Sequence, residues 1–306
     1  MNLTSAELSG NPQQALARQI GAAAARSTVW LDSPFNLYLV DRQAEMYLNL
    51  MRSASYGKGF HATIRRLIEE NCDALLSGLP GAVDLVDLGP GFPDKTFALL
   101  RGMRMQAREG RYIPVDISRR FLQLAADACR GFGFPVDAKH LLFEELPGRL
   151  AGGESAAARL VVMGVTFMNY TPERGCALLA SLLRPGDAGI ISVELLRDEA
   201  LESTMGPYRT EQARAFNSLP LEIAGIPSEV LDYFVEFERN RIEMGFRIGA
   251  PVEVAGVRLH SGQRIVTSFS YRLRLDQLEQ ELRAVFSRAD VYCDPAKTCA
   301  VVRVHR

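Results

Sequence analysis

Val83-Asp84-Leu85-Val86-Asp87-Leu88-Gly89-Pro90-Gly91 is the stretch that decides the fold. Its short apolar run reads as a buried strand that ends in a glycine turn, and an amphipathic segment from about 94 to 106 follows. The same unit then recurs. A second strand is expected over 112–116, with Ser118 as the N-cap of the next helix. A third strand is expected within 135–142 and a fourth over 160–165. The fourth leads to a helix after Thr171-Pro172-Glu173, where proline suits the first turn. A fifth strand is expected over 187–193. Short apolar runs alternating with helices specify an α/β fold, a doubly wound parallel sheet with right-handed crossovers.

Upstream, residues 5–26 carry a helical pattern with Ser5 as a start signal, and 30–35 read as a turn holding the only tryptophan, Trp30. Helices are expected at 41–53 and 60–77, separated by Tyr56-Gly57-Lys58-Gly59. Downstream of Val193 the alternation stops. Residues 198–217 and 227–240 read as helical, and 241–254, 257–259 and 263–273 as an antiparallel β group turning at Ala255-Gly256. A helix at 275–287 and strands at 289–293 and 299–304, joined through Asp294-Pro295, complete the sheet. The expected division is a sheet domain of 62–193 plus 271–306 and an α+β cap of 1–61 plus 194–270.

Composition narrows the function. With 35 basic and 36 acidic side chains the net charge is −1, which lacks the basic excess of a dedicated nucleic-acid binder. No run approaches the roughly 18–20 apolar residues of a membrane span, and the N-terminus has no signal-peptide layout, so a cytoplasmic protein is expected. The five scattered cysteines lack CxxC spacing and suit reduced thiols, and four isolated histidines suit no metal centre.

The glycine turn lies where open α/β sheets bind ligands, outside the carboxyl ends of the strands. Gly89 and Gly91 let backbone approach a ligand, and the helix after them offers its N-terminal amides to an anion. Asp94 stands where a dinucleotide fingerprint would have its third glycine, which disfavours a nicotinamide dinucleotide. Asp116, ending the second strand, can accept from both hydroxyls of a ribose or cap the following helix. Lys95, a cation in a first helical turn, either meets a ligand carboxylate or pairs with Asp94. With no Walker lysine motif, S-adenosylmethionine is the nucleoside that fits best. Asn169, just past the fourth strand, either serves the reacting centre, through an amide that both donates and accepts, or makes a local turn.

These motifs, in this order, resemble the histidine-specific S-adenosylmethionine-dependent methyltransferases of ergothioneine synthesis. The carriers are Val86–Gly91 with Lys95-Thr96, Tyr112-Ile113-Pro114-Val115-Asp116-Ile117-Ser118, Thr166 with Asn169-Tyr170-Thr171-Pro172, Leu183-Arg184-Pro185-Gly186-Asp187, Ala215-Phe216-Asn217, Arg241-Ile242-Glu243-Met244 and Gly262-Gln263-Arg264-Ile265. The resemblance covers about residues 80–306 and implies a class I methyltransferase sheet with a substrate-facing cap. It implies cofactor contacts at Gly89 and Asp116 and an acceptor contact at Asn169, and it matches Lys95 to a family lysine; Gly91 and Phe143 join them as cofactor candidates, and Tyr208, Ser268 and Ser270 as acceptor candidates. Tyr56, near a loosely matched family tyrosine, is the first choice among the aromatics for cation–π contact with the sulfonium.

Two departures bear on substrate. The family's third strand ends in Gly-Asp-Phe, whose aspartate meets adenine; here Leu141-Leu142-Phe143 stands there, which leaves backbone and Phe143 for adenine. The family's Thr-Glu-x-Ser stretch, which recognises imidazole and carboxylate, reads Thr267-Ser268-Phe269-Ser270. Loss of that glutamate argues against histidine as the acceptor. The leading expectation is N-methylation of a small amine or amino acid other than histidine. An alternative is cyclisation of S-adenosylmethionine, as sole substrate, to azetidine-2-carboxylate with release of methylthioadenosine. A protein that only senses the cofactor is a third.

Overall fold

The computed structural model describes residues 10–31, 35–53, 59–151 and 157–306. In chain order the strands are β1 (Thr28–Trp30), β2 (Val83–Leu88), β3 (Tyr112–Asp116), β4 (Lys139–His140), β5 (Ala158–Gly164), β6 (Ala188–Glu194) and β7 (Leu231–Glu238). Then come β8 (Arg241–Ile248), β9 (Val252–Val254), β10 (Val257–Leu259), β11 (Arg264–Tyr271), β12 (Arg288–Cys293) and β13 (Cys299–His305). The chain forms two units: Met51–Arg197 with Arg272–Arg306, and Met1–Leu50 with Asp198–Tyr271.

The first unit is built on a seven-stranded sheet in the order β12-β13-β6-β5-β2-β3-β4. β13 pairs antiparallel with both β12 and β6, and the other neighbouring pairs are parallel. The chain leaves β2 toward β3 and β4, then returns to place β5 on the other side of β2. Strand order therefore reverses at β2, and the carboxyl ends of β2 and β5 flank the switch point. Every residue of β2 is buried, as expected of a strand covered on both faces. Val86 and Leu88 join Ile113, Val161, Ile191 and Val302 in one core. Val83 and Leu85 join Leu160, Ile190 and Val301 in the other, against helices Phe60–Glu70 and Asp94–Met105.

Local sequence explains the helix starts. Ser118 Oγ accepts from Phe121 N, and Thr171 Oγ1 accepts from Arg174 N with Pro172 in the first turn. The expected third strand shrinks to β4, with Val136 adding a single bridge to Tyr112. Gly131, Gly133 in left-handed backbone (φ +75°) and Pro135 shape the approach and leave little room for a regular strand.

The second unit holds a sheet in the order β1-β11-β8-β7 and the separate hairpin β9–β10. Leu16 and Ile20 of helix Pro12–Ala23 share a core with Leu221, Phe246, Ile248 and Ile265. The helix expected over 227–240 is instead strand β7, paired with β8 from Leu231↔Ile248 to Glu238↔Arg241. Tyr233, Phe234, Val235 and Phe237 favour a pleated surface, and Arg239 and Asn240 both take positive φ (50° and 61°) in the two-residue turn. Trp30, expected to open a turn over 30–35, instead ends strand β1, parallel to β11, and residues 32–34 lie outside the described residues. The helix expected over 198–217 is broken by a 3₁₀ turn at Gly206–Arg209, where Pro207 interrupts it. It resumes at Glu211–Ile223 under a Thr210 cap. The 60–77 helix divides at Asn71. Ser5 and Tyr56 lie outside the described residues.

Candidate active site

Gly89 sits at the carboxyl end of β2 with φ +73°, and Gly91 follows with φ +51°. A Cβ on Gly89 would lie 2.8 Å from Thr166 Oγ1 and 3.4 Å from Phe143 Cζ. The backbone turn, the Phe143 ring and the Thr166 hydroxyl are thus packed together, and only glycine suits both the conformation and the space. Thr166 Oγ1 donates to Leu88 O at 3.2 Å, which ties the end of β5 to the end of β2. Beneath the turn, Asp87 Oδ2 accepts from Thr96 Oγ1 (2.7 Å) and Tyr112 Oη (2.9 Å). Burial raises the Asp87 carboxyl pKa while these two donors pull it back.

Asp116 ends β3, beside the glycine turn, because β2 and β3 are paired neighbours. Its Oδ1 accepts from Ser118 N at 2.8 Å, so it fixes the turn before the helix, while the cap foreseen as its alternative role is made by Ser118 instead. Burial pushes its pKa up from 3.8 to about 7, opposed by backbone amides and reinforced by the Asp87 charge. His140 anchors the same turn, with Nε2 2.7 Å from Ile117 O; since a carbonyl only accepts, that nitrogen carries the proton.

Lys95 occupies the first turn of helix Asp94–Met105, with its ammonium 3.8 Å from Asp94 Oδ1 and 3.5 Å from His61 Nδ1. The pairing with Asp94 is therefore present, and it leaves the ammonium beside the head of the helix.

Asn169, half-buried, closes the 3₁₀ turn Val165–Asn169 that follows β5. Its neighbour Met168 is held by two donors: Glu194 N at 3.2 Å and Arg272 Nη1 at 3.4 Å from the sulfur. Arg272 is fully buried and binds Glu194 Oε2 through Nε (3.1 Å) and Nη2 (2.8 Å). This ion pair at the end of β6 braces the turn that carries Asn169.

In the other unit, Ser268 Oγ donates to Asn217 Oδ1 at 2.5 Å and Thr267 Oγ1 donates to the same oxygen at 3.1 Å. Asn217 Nδ2 in turn donates to Ala213 O at 2.9 Å. A β-bulge between Val266 and Ser268 turns both hydroxyls toward helix Glu211–Ile223. Ser270 is buried on the same strand. Tyr208 is buried, and its carbonyl accepts from Tyr233 Oη at 2.9 Å.

Residues 45–218, more than half of the chain, match the model of a family described as histidine-specific methyltransferase, SAM-dependent. The chain belongs to this family. The methyltransferase is 29% identical over 238 residues to the histidine N-alpha-methyltransferase of Mycolicibacterium smegmatis (strain ATCC 700084 / mc(2)155), covering 71% of this chain and 73% of that one. It is 31% identical over 121 residues to the histidine N-alpha-methyltransferase of Mycobacterium tuberculosis (strain CDC 1551 / Oshkosh), covering 38% and 37%. In structure it is similar to the citrinin polyketide synthase CMeT domain, with a TM-score of 0.50, 12% identity and coverage of 96% of this chain and 65% of that one. The fold is that of class I methyltransferases, and the protein is an S-adenosylmethionine-dependent transferase. The curated relatives are described by methyl transfer and lend no support to cyclisation of S-adenosylmethionine.

The switch point of this methyltransferase suits that cofactor chemically. An adenosine needs an apolar ring face, an acceptor for two ribose hydroxyls and room for backbone approach; Phe143, Asp116 and Gly89 have those properties. The amino-acid tail needs a cation for its carboxylate, which Lys95 carries. Sequence reasoning missed His61, His140 and the Arg272–Glu194 pair. Glu194 and Arg272 each stand at an end of an apolar strand, the one signal that could have linked them. Among the described residues no helix is long and apolar enough to cross a membrane.

Proposed function

We propose that this methyltransferase N-methylates a small amine or amino acid other than histidine. The observation that carries this reading is the hydrogen bond from Ser268 to Asn217. Where the family resemblance expects a glutamate, the chain has a hydroxyl that is already engaged within the protein, together with Thr267. No carboxylate stands at that position to accept from an imidazole or to neutralise a cationic acceptor. A site missing a buried hydrogen-bond partner discriminates against the ligand that needs it.

In this reading the Asp116 carboxylate accepts from the ribose hydroxyls, and Phe143 and neighbouring backbone hold adenine. The Gly89–Gly91 turn and Lys95 take the amino-acid end. Bound S-adenosylmethionine supplies an activated methyl group. Asn169, braced through Met168, is assigned to orienting the acceptor nitrogen; Tyr208 and Ser270 are assigned to the acceptor and Tyr56 to the sulfonium. Such a transfer needs a free amine lone pair held in line with the methyl, so positioning and exclusion of water supply most of the rate.

The test is a mass-spectrometric screen of the purified protein with S-adenosylmethionine and a panel of amines and amino acids, L-histidine included. S-adenosylhomocysteine formed with an amine other than histidine, at a kcat/KM well above that for histidine, supports the proposal. Efficient turnover of histidine refutes the substrate claim. Methylthioadenosine formed from S-adenosylmethionine alone refutes methyl transfer.

A further inference from the structure

Lys95 is the second residue of helix Asp94–Met105, where a cation opposes the positive end of the helix dipole. Neighbours on helix Phe60–Glu70 hold the cluster. Arg65 Nη1 lies 3.7 Å from Asp94 Oδ2, and His61, one turn earlier on the same face, lies 3.5 Å from the Lys95 ammonium through Nδ1. His61 is only 3% exposed, and its ring stacks on Phe60 with centroids 4.0 Å apart. An ammonium has donors only, so Nδ1 presents its lone pair and the ring proton sits on Nε2. Burial, Lys95 and Arg272 together hold the imidazole neutral, well below its ordinary pKa. Asp94 is shared between Arg65 and Lys95, so it alone does not fix the lysine.

We infer that His61 is a positioning residue for the amino-acid end of the cofactor: its neutral imidazole steadies the Lys95 ammonium at the head of the helix, where that ammonium meets the ligand's carboxylate. The inference rests on the cofactor reading and extends it to a residue that acts through another side chain. A residue serving only to fill space would affect every adenosine ligand alike. A residue acting through Lys95 affects only ligands that carry the carboxylate.

The experiment compares S-adenosylhomocysteine with methylthioadenosine, which keeps the adenosine and thioether but lacks the amino-acid carboxylate. Both are titrated calorimetrically into the full-length wild type, His61→Phe and His61→Gln. His61→Phe weakens S-adenosylhomocysteine about tenfold and leaves methylthioadenosine unchanged. His61→Gln, whose amide oxygen can accept from Lys95, recovers part of that loss. Equal losses on both ligands in His61→Gln would likewise count against the inference, which keeps it testable should the Phe variant not fold. Equal losses on both ligands, or no loss on S-adenosylhomocysteine, overturn the positioning role. Failure of the wild type to bind either ligand overturns the cofactor reading itself.

Discussion

Replacement of Asp116 by asparagine separates what this residue does for the ligand from what it does to the empty protein. Burial holds the carboxyl at a pKa of about 7. In the proposed binding mode the ribose hydroxyls donate to the ionised form, so binding is coupled to deprotonation. With a pKa of about 7, roughly one-eleventh of the sites are ionised at pH 6 and roughly ten-elevenths at pH 8. S-adenosylhomocysteine should therefore bind about tenfold more tightly at pH 8 than at pH 6. Asparagine replaces one acceptor with a donor and removes the charge, which costs about 2–4 kcal/mol of binding at pH 8 and flattens the pH dependence. The empty protein responds in the opposite sense. An acid whose folded pKa is raised from 3.8 to about 7 favours the folded state most at low pH, and that advantage is lost as pH rises from about 4 to about 7. The loss is about 4 kcal/mol for a shift of this size. Asp116→Asn escapes it, keeping an oxygen for Ser118 N, and should be more stable than wild type at pH 8 without ligand. Calorimetric titration across pH 6–8 and urea denaturation of the free proteins read both effects. A variant that binds S-adenosylhomocysteine as tightly as wild type, or a wild-type affinity flat across pH 6–8, refutes the reasoning.

Three further outcomes are expected. Gly89→Ala must adopt φ +73° with its Cβ 2.8 Å from Thr166 Oγ1, so it should lose about 1–2 kcal/mol in urea denaturation and most of its S-adenosylhomocysteine affinity. Arg272→Met strands the Glu194 carboxylate and should cost about 3–5 kcal/mol, while Arg272→Met with Glu194→Gln should recover part of it in a double-mutant cycle. Burial pushes the Cys129 thiol up to about 11 and those of Cys176 and Cys299 to about 12, so a disulfide reagent at pH 8 should leave these three unlabelled until urea unfolds the chain.

Much of the fold was legible because its elements are set by local pattern. β2, β3, β5 and β6 are short apolar runs closed by turn chemistry, and Ser118 and Thr171 carry their caps in the adjacent sequence. β7 was misread because its aromatic residues satisfy a helical spacing as well as an alternating one. The I′ turn at Arg239-Asn240, which settles the matter, lacks the glycine that usually announces it. β4 was overextended because an apolar run says little about where pairing partners end. At the site, Gly89 and Asp116 followed from strand-end logic. His61–Lys95 and Arg272–Glu194 join residues 34 and 78 positions apart, and no local pattern marks such pairs. Ser268 was noticed as a missing glutamate, but its bond to Asn217 depends on a bulge that sequence does not reveal.

The central claim meets its most direct test in crystals grown with S-adenosylhomocysteine. The account predicts the adenine beside Phe143, both ribose hydroxyls on Asp116, and the amino-acid tail against the Gly89–Gly91 turn with its carboxylate on Lys95. Density for the ligand away from the carboxyl ends of β2 and β3, or a ribose that leaves Asp116 untouched, contradicts it.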